Sequence, residues 1–297
     1  MAVTPRRHRP SRSAEEDDHY RGLLCDLDGC LVAGGRLLPG ARQLVAYARD
    51  RLVIVSNNST DTPATLAAKL ARLNLPIAPE RIVLAGATAV EHLAATVRQA
   101  RVAIYGAPAI VRYARSLGLV VDHDRPDVVL LTRDRQFSYA RLHRLVRQIE
   151  RGADFIVSNV DVSHPGPDGS RVLETGVLLA AVKACLPAIK YKAIGKPSPL
   201  LYQVAMGRIS ASQDALLAIG DNPATDQQGA RGMALPCLLV GPDPRAHFQN
   251  LAELMQSRRP PRGSEAVRGR RVRQLEFLGD PGLGLLQDAK SNLNGGG

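Results

Sequence analysis

Residues 22–29 read GLLCDLDG, an apolar run that closes on two aspartates separated by one leucine. Side chains alternate in an extended segment, so Asp26 and Asp28 should point the same way while Leu27 points into packing. Two carboxylates this close need a cation, and Mg²⁺ prefers oxygen ligands. A pair of this kind also occurs in solvated turns and at the nucleotide-sugar sites of glycosyltransferases, so the pair alone leaves its chemistry open.

Outward from this stretch, short apolar runs alternate with amphipathic stretches. This pattern predicts an α/β fold with a Rossmann-like, doubly wound parallel sheet. The predicted strands are 21–27, 51–57, 101–106, 127–132, 154–159, 215–220 and 236–241. Apolar residues at helical spacing predict helices over 40–50, 63–73, 107–117 and 138–151. Ligands of open α/β sheets bind beyond the carboxyl ends of the strands, so polar residues at these ends should converge on one site.

A second polar segment ends the strand RLVIVSNN at Ser56, Asn57 and Asn58. Their hydroxyl, amide and main-chain donors suit a phosphate. Serine and asparagine also cap helices well, and both roles coexist at a helix N-terminus. The segment by itself therefore indicates either a cap or a phosphate site.

Two later segments supply the remaining charged groups. In KAIGKPSP, Lys196 stands on a turn between a glycine and a proline, where a lysine can neutralise carboxylates and phosphate, although a single lysine is usually only solvated. In ALLAIGDNPATDQQG, Asp221 follows a buried-looking strand and would complete a metal site. Asp226 and Asn222 are candidates for supporting roles around that site, and a helix cap is an equal alternative for Asp226.

In this order, LLCDLDG, VSNN, IGKPSP and IGDNPATD resemble the motifs of the haloacid dehalogenase (HAD) phosphatases over about residues 20–245. Within that span, RDRQFSYARL, GADFIVSNVD and GKPSPLLY look like subclass IIA. That branch includes NagD-like, 4-nitrophenylphosphatase-like, pyridoxal phosphate phosphatase and phosphoglycolate phosphatase members. Cys30 stands where many members have threonine, and residues 174–176 read Glu-Thr-Gly where many have proline-glycine, which leaves the substrate open.

The resemblance implies a reaction and a ligand set. Asp26 would attack phosphorus and form an aspartyl-phosphate, and Asp28 would act as general acid and base. Mg²⁺ would be held by Asp26, the main-chain carbonyl of Asp28 and Asp221. Ser56, Asn57, Asn58 and Lys196 would bind the transferring phosphoryl group of a small phosphorylated metabolite.

The spacing of the motifs predicts where an inserted domain lies. About ten residues separate Asp28 from Pro39, whereas more than 130 separate Asn58 from Lys196. The resemblance places an α/β cap in the longer interval, between the second and third motifs. The predicted division is a tail at 1–19, a HAD core at 20–80 and 190–257, a cap at 81–189 and an Arg/Pro/Gly-rich tail at 258–297.

The predicted cap also carries the predicted substrate contacts. Residues 158–169, with Asp161 and His164, are expected to face the leaving group, because loops on a rigid scaffold set specificity. The resemblance also implies a homodimer that pairs through the cap.

The net charge and the hydropathy pattern bear on whether the protein binds nucleic acid or a membrane. The net charge is +11, but the basic residues are mostly arginines spread through helical stretches such as 139–151, which is typical of a solvated surface. We expect no nucleic-acid partner and no membrane partner, since no apolar run approaches about 18 residues. The N-terminal sequence lacks the apolar segment of a secretory signal, so the expected location is cytoplasmic.

Two other functions are compatible with the sequence. A phosphotransferase or mutase on the same fold would return the phosphoryl group to an acceptor other than water. A non-enzymatic module would bind polyanions through the Arg-rich segment 268–273. Asp28 favours hydrolysis over the first, and the full set of catalytic side chains favours an enzyme over the second.

Overall fold

The computed structural model describes residues 20–97, 99–166 and 170–257. The predicted tails at 1–19 and 258–297 lie outside the described residues. Described strands, in chain order, are β1 (Gly22–Cys25), β2 (Val32–Ala33), β3 (Arg36–Leu37), β4 (Leu52–Ser56), β5 (Ile82–Leu84), β6 (Arg101–Tyr105), β7 (Val120–Val121), β8 (Val128–Leu131), β9 (Asp154–Val157), β10 (Ser163–Pro165), β11 (Arg171–Leu173), β12 (Lys192–Ala193), β13 (Leu216–Gly220) and β14 (Cys237–Leu239).

The described helices surround these strands. They are α1 (Ala41–Ala48), α2 (Pro63–Arg72), α3 (Ala85–Thr96), α4 (Pro108–Ser116), α5 (Tyr139–Glu150), α6 (Thr175–Cys185), α7 (Pro199–Met206), α8 (Gln228–Gly232) and α9 (Leu251–Gln256). Helix α2 begins where the sequence favours it, because Thr62 forms a capping box with Thr65 and Pro63 occupies the first turn. A π-helical turn, Pro223–Gln227, precedes α8.

Two five-stranded sheets organise the molecule. The first has the order β14-β13-β1-β4-β5, and the second has the order β12-β9-β8-β6-β7. Every neighbouring pair in both sheets is parallel. The strands are buried apolar runs flanked by helices, as parallel sheets require. Two short antiparallel hairpins, β2-β3 and β10-β11, complete the strands.

The register of the first sheet brings the ends of three strands together. Cys25, the last residue of β1, pairs with Ile219 on one side and with Ile54 on the other. The residues that follow β1, β4 and β13 therefore meet at one edge of the sheet. This is the edge at which open α/β sheets bind ligands.

The predicted α/β fold is confirmed. All seven predicted strands and all four predicted helices are present, with ends shifted by up to two residues. The division into core and cap stays a prediction. The chain passes from the first sheet to the second between Leu84 and Arg101, and it returns to the first sheet between Ala193 and Leu216.

The four cysteines, Cys25, Cys30, Cys185 and Cys237, are free thiols. Within the described ranges, every helix is too short or too polar to span a bilayer.

Candidate active site

Asp26 and Asp28 lie at the carboxyl end of β1. The main-chain N–H of Asp26 donates to the carbonyl of Ile219 at 2.8 Å, which continues the parallel ladder by one residue. Leu27 is buried in the core beneath the sheet edge, as the alternation predicts. Asp28 is half-buried and forms a β-bridge with Val32, so the chain turns back directly after the second aspartate.

Lys196 reaches this edge from the end of β12. Its Nζ donates to Oδ1 of Asp26 at 2.5 Å and to Oδ1 of Asp226 at 2.6 Å. The lysine is only 2% exposed. Burial disfavours the ammonium, but the Asp226 and Asp26 carboxylates outweigh it and raise the pKa of Lys196 above its usual value. The site therefore holds a fixed positive charge beside the predicted nucleophile.

Three carboxylates surround this single ammonium. Oxygens of Asp26, Asp221 and Asp226 lie within 4.8 Å of one another. Three negative charges against one positive charge leave an excess of two in a buried space, which a divalent cation would balance. Carboxylate oxygens are the ligands that Mg²⁺ prefers, so the donor set fits the predicted metal.

Burial and mutual repulsion raise the pKa values of these carboxyl groups. Burial raises the pKa of Asp26 well above its ordinary value, and Asp226 and Asp221 add to this effect while Lys196 opposes it. Burial and the Asp226 charge raise the pKa of Asp221 to about 7. Burial likewise raises the pKa of Asp28. A bound cation would favour the ionised form of each group.

Gly29 allows Asp221 to approach the end of β1. Its φ of +89° lies in the left-handed region, and a Cβ on this residue would come within 1.9 Å of Oδ2 of Asp221. Only glycine fits both conditions. The glycine of GLLCDLDG thus has a packing role that the sequence alone did not reveal.

Ser56 and the two asparagines after it follow β4. Ser56 is buried, and its Oγ accepts a hydrogen bond from the N–H of Asn58. The Asn58 side chain closes the following turn by accepting from the N–H groups of Thr60 and Asp61. This segment is where the phosphate-binding prediction placed it, at the same sheet edge as Asp26.

Asn57 makes contacts that the sequence did not indicate. Its Oδ1 accepts from the N–H of Lys196 at 2.7 Å. Its Nδ2 donates to the carbonyl of Lys196 at 3.0 Å and to Oδ2 of Asp161 at 2.9 Å. The amide therefore ties the lysine loop to both sheets, and Asn57 could contact phosphate only through its main chain.

Asp226 and Asn222 lie beside the metal candidates. Asn222 accepts from the N–H of Ala224 and caps the π-helical turn, and its own N–H donates to Oδ2 of Asp226. Tyr202 donates its hydroxyl to the main-chain carbonyl of Asp226 at 3.0 Å. The Asp226 carboxylate is thus held between Lys196 and this turn. It is a member of the same acidic cluster as Asp26 and Asp221, the predicted side-chain ligands of the metal.

Asp161 belongs to the connection that leads into the β10-β11 hairpin, and His164 lies on β10 itself. Residues 167–169 of the predicted specificity segment lie outside the described residues. Nδ1 of His164 lies 2.8 Å from Oε1 of Glu174, and Arg133 Nη1 lies 3.4 Å from the same oxygen. The sequence motifs did not indicate a role for Glu174 or Arg133, although Glu-Thr-Gly at 174–176 departs from the family pattern.

Comparisons with known proteins agree with this geometry. Residues 23–120 match the model of the haloacid dehalogenase-like hydrolases, and residues 193–249 match a HAD-hydrolase-like model. A dihydroxyacetone phosphatase of Corynebacterium glutamicum is 30% identical over 220 residues, which cover 73% of this chain and 79% of the relative. The chain therefore belongs to the haloacid dehalogenase-like hydrolase family, as its motifs predict.

Solved structures extend the likeness to the whole fold. The 4-nitrophenylphosphatase of Thermotoga maritima superposes with a TM-score of 0.74 at 23% identity, over 81% of this chain and 98% of that one. The glycerol phosphate phosphatase of Mycobacterium tuberculosis, solved in complex with magnesium, gives 0.70 at 28% identity, over 80% of this chain and 78% of that one. These named relatives are phosphatases, and one of them binds magnesium in its structure.

Proposed function

We propose that this chain is a Mg²⁺-dependent phosphatase that hydrolyses a small phosphomonoester through an aspartyl-phosphate on Asp26. The observation that carries the proposal is the buried Lys196 ammonium, which bonds to Asp26 and Asp226 beside Asp221. A nucleophile, a fixed cation and an oxygen-rich metal site at one sheet edge suit phosphoryl transfer, in which catalysis depends on positioning and on neutralising charge.

The first step forms the covalent intermediate. A carboxylate oxygen of Asp26 bonds to phosphorus, and the bond between phosphorus and the ester oxygen breaks. Asp28 donates a proton to the departing ester oxygen, so the leaving group departs as a neutral alcohol. The raised pKa of Asp28, caused chiefly by burial, suits a group that must carry that proton.

The second step returns the enzyme to its starting state. Asp28, now ionised, accepts a proton from water, and the water oxygen bonds to phosphorus. The bond between phosphorus and Asp26 then breaks, which releases inorganic phosphate and restores both carboxyl groups. Water as the final acceptor distinguishes this proposal from a phosphotransferase or mutase on the same fold.

The remaining site residues would bind Mg²⁺ and orient the phosphoryl group. Asp26, the main-chain carbonyl of Asp28 and Asp221 are the proposed Mg²⁺ ligands, and bound Mg²⁺ would supply positive charge to the phosphoryl oxygens. Lys196 and Ser56 would contact the phosphoryl group through their side chains. The contacts already made by the Asn57 side chain restrict Asn57 to its main-chain atoms, whereas Asn58 would contribute its main-chain N–H or the second hydrogen of its side-chain amide.

The proposed substrate is a small phosphorylated metabolite. The named relatives include a dihydroxyacetone phosphatase and a glycerol phosphate phosphatase, which supports a short carbon chain. Contact of Asp161 and His164 with the leaving group, pairing of two copies through the cap, and a cytoplasmic location remain part of the proposal.

The decisive experiment is phosphate release from a panel of phosphomonoesters with and without Mg²⁺. We expect wild-type release to require Mg²⁺ and to be abolished in Asp26→Asn, which keeps the shape of the side chain but removes the nucleophilic oxygen. Asp154→Asn, at an exposed position on β9, is the matched control and should retain activity. A folded wild type that releases no phosphate from any ester would overturn the proposal.

A further inference from the structure

The β10-β11 hairpin is fixed over the site at both of its ends. Asp161, just before the hairpin, accepts a hydrogen bond from Asn57 at 2.9 Å. Thr175, just after it, bonds through its hydroxyl to the hydroxyl of Ser59 at 3.2 Å. Asn57 and Ser59 both follow β4, one and three residues beyond Ser56. Both ends of the hairpin are therefore tied to the segment that follows Ser56, a residue of the proposed phosphoryl site.

A charged cluster connects this hairpin to Arg133, which follows β8. Glu174 bonds through Oε1 to Nδ1 of His164 at 2.8 Å and lies 3.4 Å from Arg133 Nη1. The Glu174 side chain is 10% exposed, and its other oxygen, Oε2, is buried without a hydrogen-bond partner. Arg133 is itself held in place, because its N–H donates to the Ser59 hydroxyl at 3.1 Å.

Such a carboxylate is tolerated only where positive charge compensates it. Arg133 supplies one positive charge, and the bond to Glu174 raises the pKa of His164 toward a second. When His164 is protonated, Arg133 and His164 together place two positive charges beside the one carboxylate. Glu174 thus serves to hold and charge the imidazole.

The imidazole remains available to a ligand and lies near the catalytic carboxyl group. The His164 side chain is 29% exposed, and its Nδ1 is occupied by Glu174, so Nε2 is the ring atom left for a ligand. The charge on His164 also counters the effect of burial on Asp28, the residue proposed to protonate the leaving group.

We propose that Glu174 is a positioning residue that fixes His164 so that its Nε2–H binds an acceptor oxygen on the leaving group. This inference rests on the proposed function. It defines the substrate class as short phosphomonoesters that carry a hydroxyl, carbonyl or carboxylate oxygen close to the ester, in preference to simple alkyl phosphates.

The test compares substrates that differ only in these oxygens. We would measure kcat and KM for glycerol 3-phosphate, phosphoglycolate and propyl phosphate in wild type, Glu174→Ala, Glu174→Gln and His164→Ala. Wild type should prefer the two oxygen-bearing esters, and the ratio of kcat/KM for glycerol 3-phosphate over propyl phosphate should fall about tenfold in Glu174→Ala, mainly through KM. The phosphoglycolate arm separates a charged carboxylate acceptor from neutral oxygens.

Three further arms distinguish positioning from a structural role. Glu174→Gln keeps an oxygen that can accept from Nδ1, so it should recover part of the lost ratio. The double variant Glu174→Ala with His164→Ala should be no worse than His164→Ala, because both act through one contact. Glu150→Gln, an exposed carboxylate at the end of α5, should leave the ratio unchanged.

The outcomes separate the two proposals. If wild type hydrolyses all three esters equally well, or if Glu174→Ala lowers all three in parallel, the specificity role is wrong while the phosphatase function stands. If folded wild type hydrolyses none of them or any other phosphomonoester, the proposed function fails, and the specificity role fails with it.

Discussion

The ammonium of Lys196 donates a 2.5 Å hydrogen bond to Oδ1 of Asp26, although 170 positions separate the two residues in the chain. Lys196 follows β12 of the second sheet, whereas Asp26 follows β1 of the first. The bond therefore joins the two halves of the molecule at the proposed reaction centre.

Removal of this lysine should damage both stability and catalysis. Lys196→Ala leaves Asp26 and Asp226 buried without their counter-ion, and breaking a buried pair in this way costs about 3–5 kcal/mol of unfolding free energy. The kcat/KM for 4-nitrophenyl phosphate should fall at least about 100-fold, because the charge that steadies the phosphoryl oxygens is lost. Urea unfolding and steady-state kinetics measure the two effects.

The control for this variant is Lys183→Ala on the exposed side of α6. It should change the unfolding free energy by no more than about 0.5 kcal/mol and leave the kinetics intact. An active, stable Lys196→Ala would show that the ammonium is dispensable and would contradict the assigned site.

Gly29 offers a sharper test of the metal site, because Gly35 provides a matched comparison. Both have positive φ, +89° and +77°, but a Cβ at Gly35 would meet nothing within 4 Å, whereas one at Gly29 would collide with Asp221. Gly35→Ala should lose about 1 kcal/mol from backbone strain alone and keep its activity. Gly29→Ala should also weaken Mg²⁺ binding by at least about tenfold, measured by calorimetry. Equal Mg²⁺ affinity in the two variants would remove Asp221 from the metal site.

The sequence sufficed for the residues at strand ends. Asp26, Ser56 and Asp221 each close an apolar strand, and parallel strands bring such ends to one edge, so their convergence follows from local pattern and a general rule. Lys196 needed the family resemblance, because its turn carries no local signal of a partner.

The supporting contacts could not be predicted in this way. The Asn57–Asp161 bond spans 104 positions, and the two members lie at the ends of strands in different sheets. No periodic pattern in the sequence indicates that two residues so far apart in the chain are in contact. The Glu174–His164 pair is closer in sequence, but it depends on the pairing of β10 with β11, two short strands that alternating apolar residues do not mark in the sequence.

Asn57 should prove to be a positioning residue for the lysine loop. Asn57→Ala removes its bonds to the N–H and carbonyl of Lys196 as well as the bond to Asp161. We expect a loss of about 2 kcal/mol in unfolding free energy, since buried partners are left unsatisfied, and about tenfold in kcat because the lysine is less well placed. Asp161→Ala removes only one of these bonds and should retain more kcat. Equal losses of kcat would assign the effect to the Asn57–Asp161 bond alone.

His123 should make stability depend on pH, away from the metal site. Its ring packs edge-on against Tyr105, with the ring centroids 5.2 Å apart. Burial lowers the pKa of His123, and Arg141 and Arg144 lower it further, while Asp122 acts in the opposite direction. The folded protein therefore binds this proton less readily than the unfolded chain.

The sign of the effect follows from linkage. The neutral ring contributes its full stability above the unfolded pKa of about 6.5, and that contribution is lost as the pH falls toward the lower folded pKa. In His123→Gln, which cannot titrate, the unfolding free energy should decline less than in wild type between pH 7.5 and pH 5, as measured by urea unfolding. The exposed His143→Gln should follow the wild-type curve. Parallel curves for wild type and His123→Gln would mean that the buried ring does not resist protonation, since the two states would then bind its proton equally.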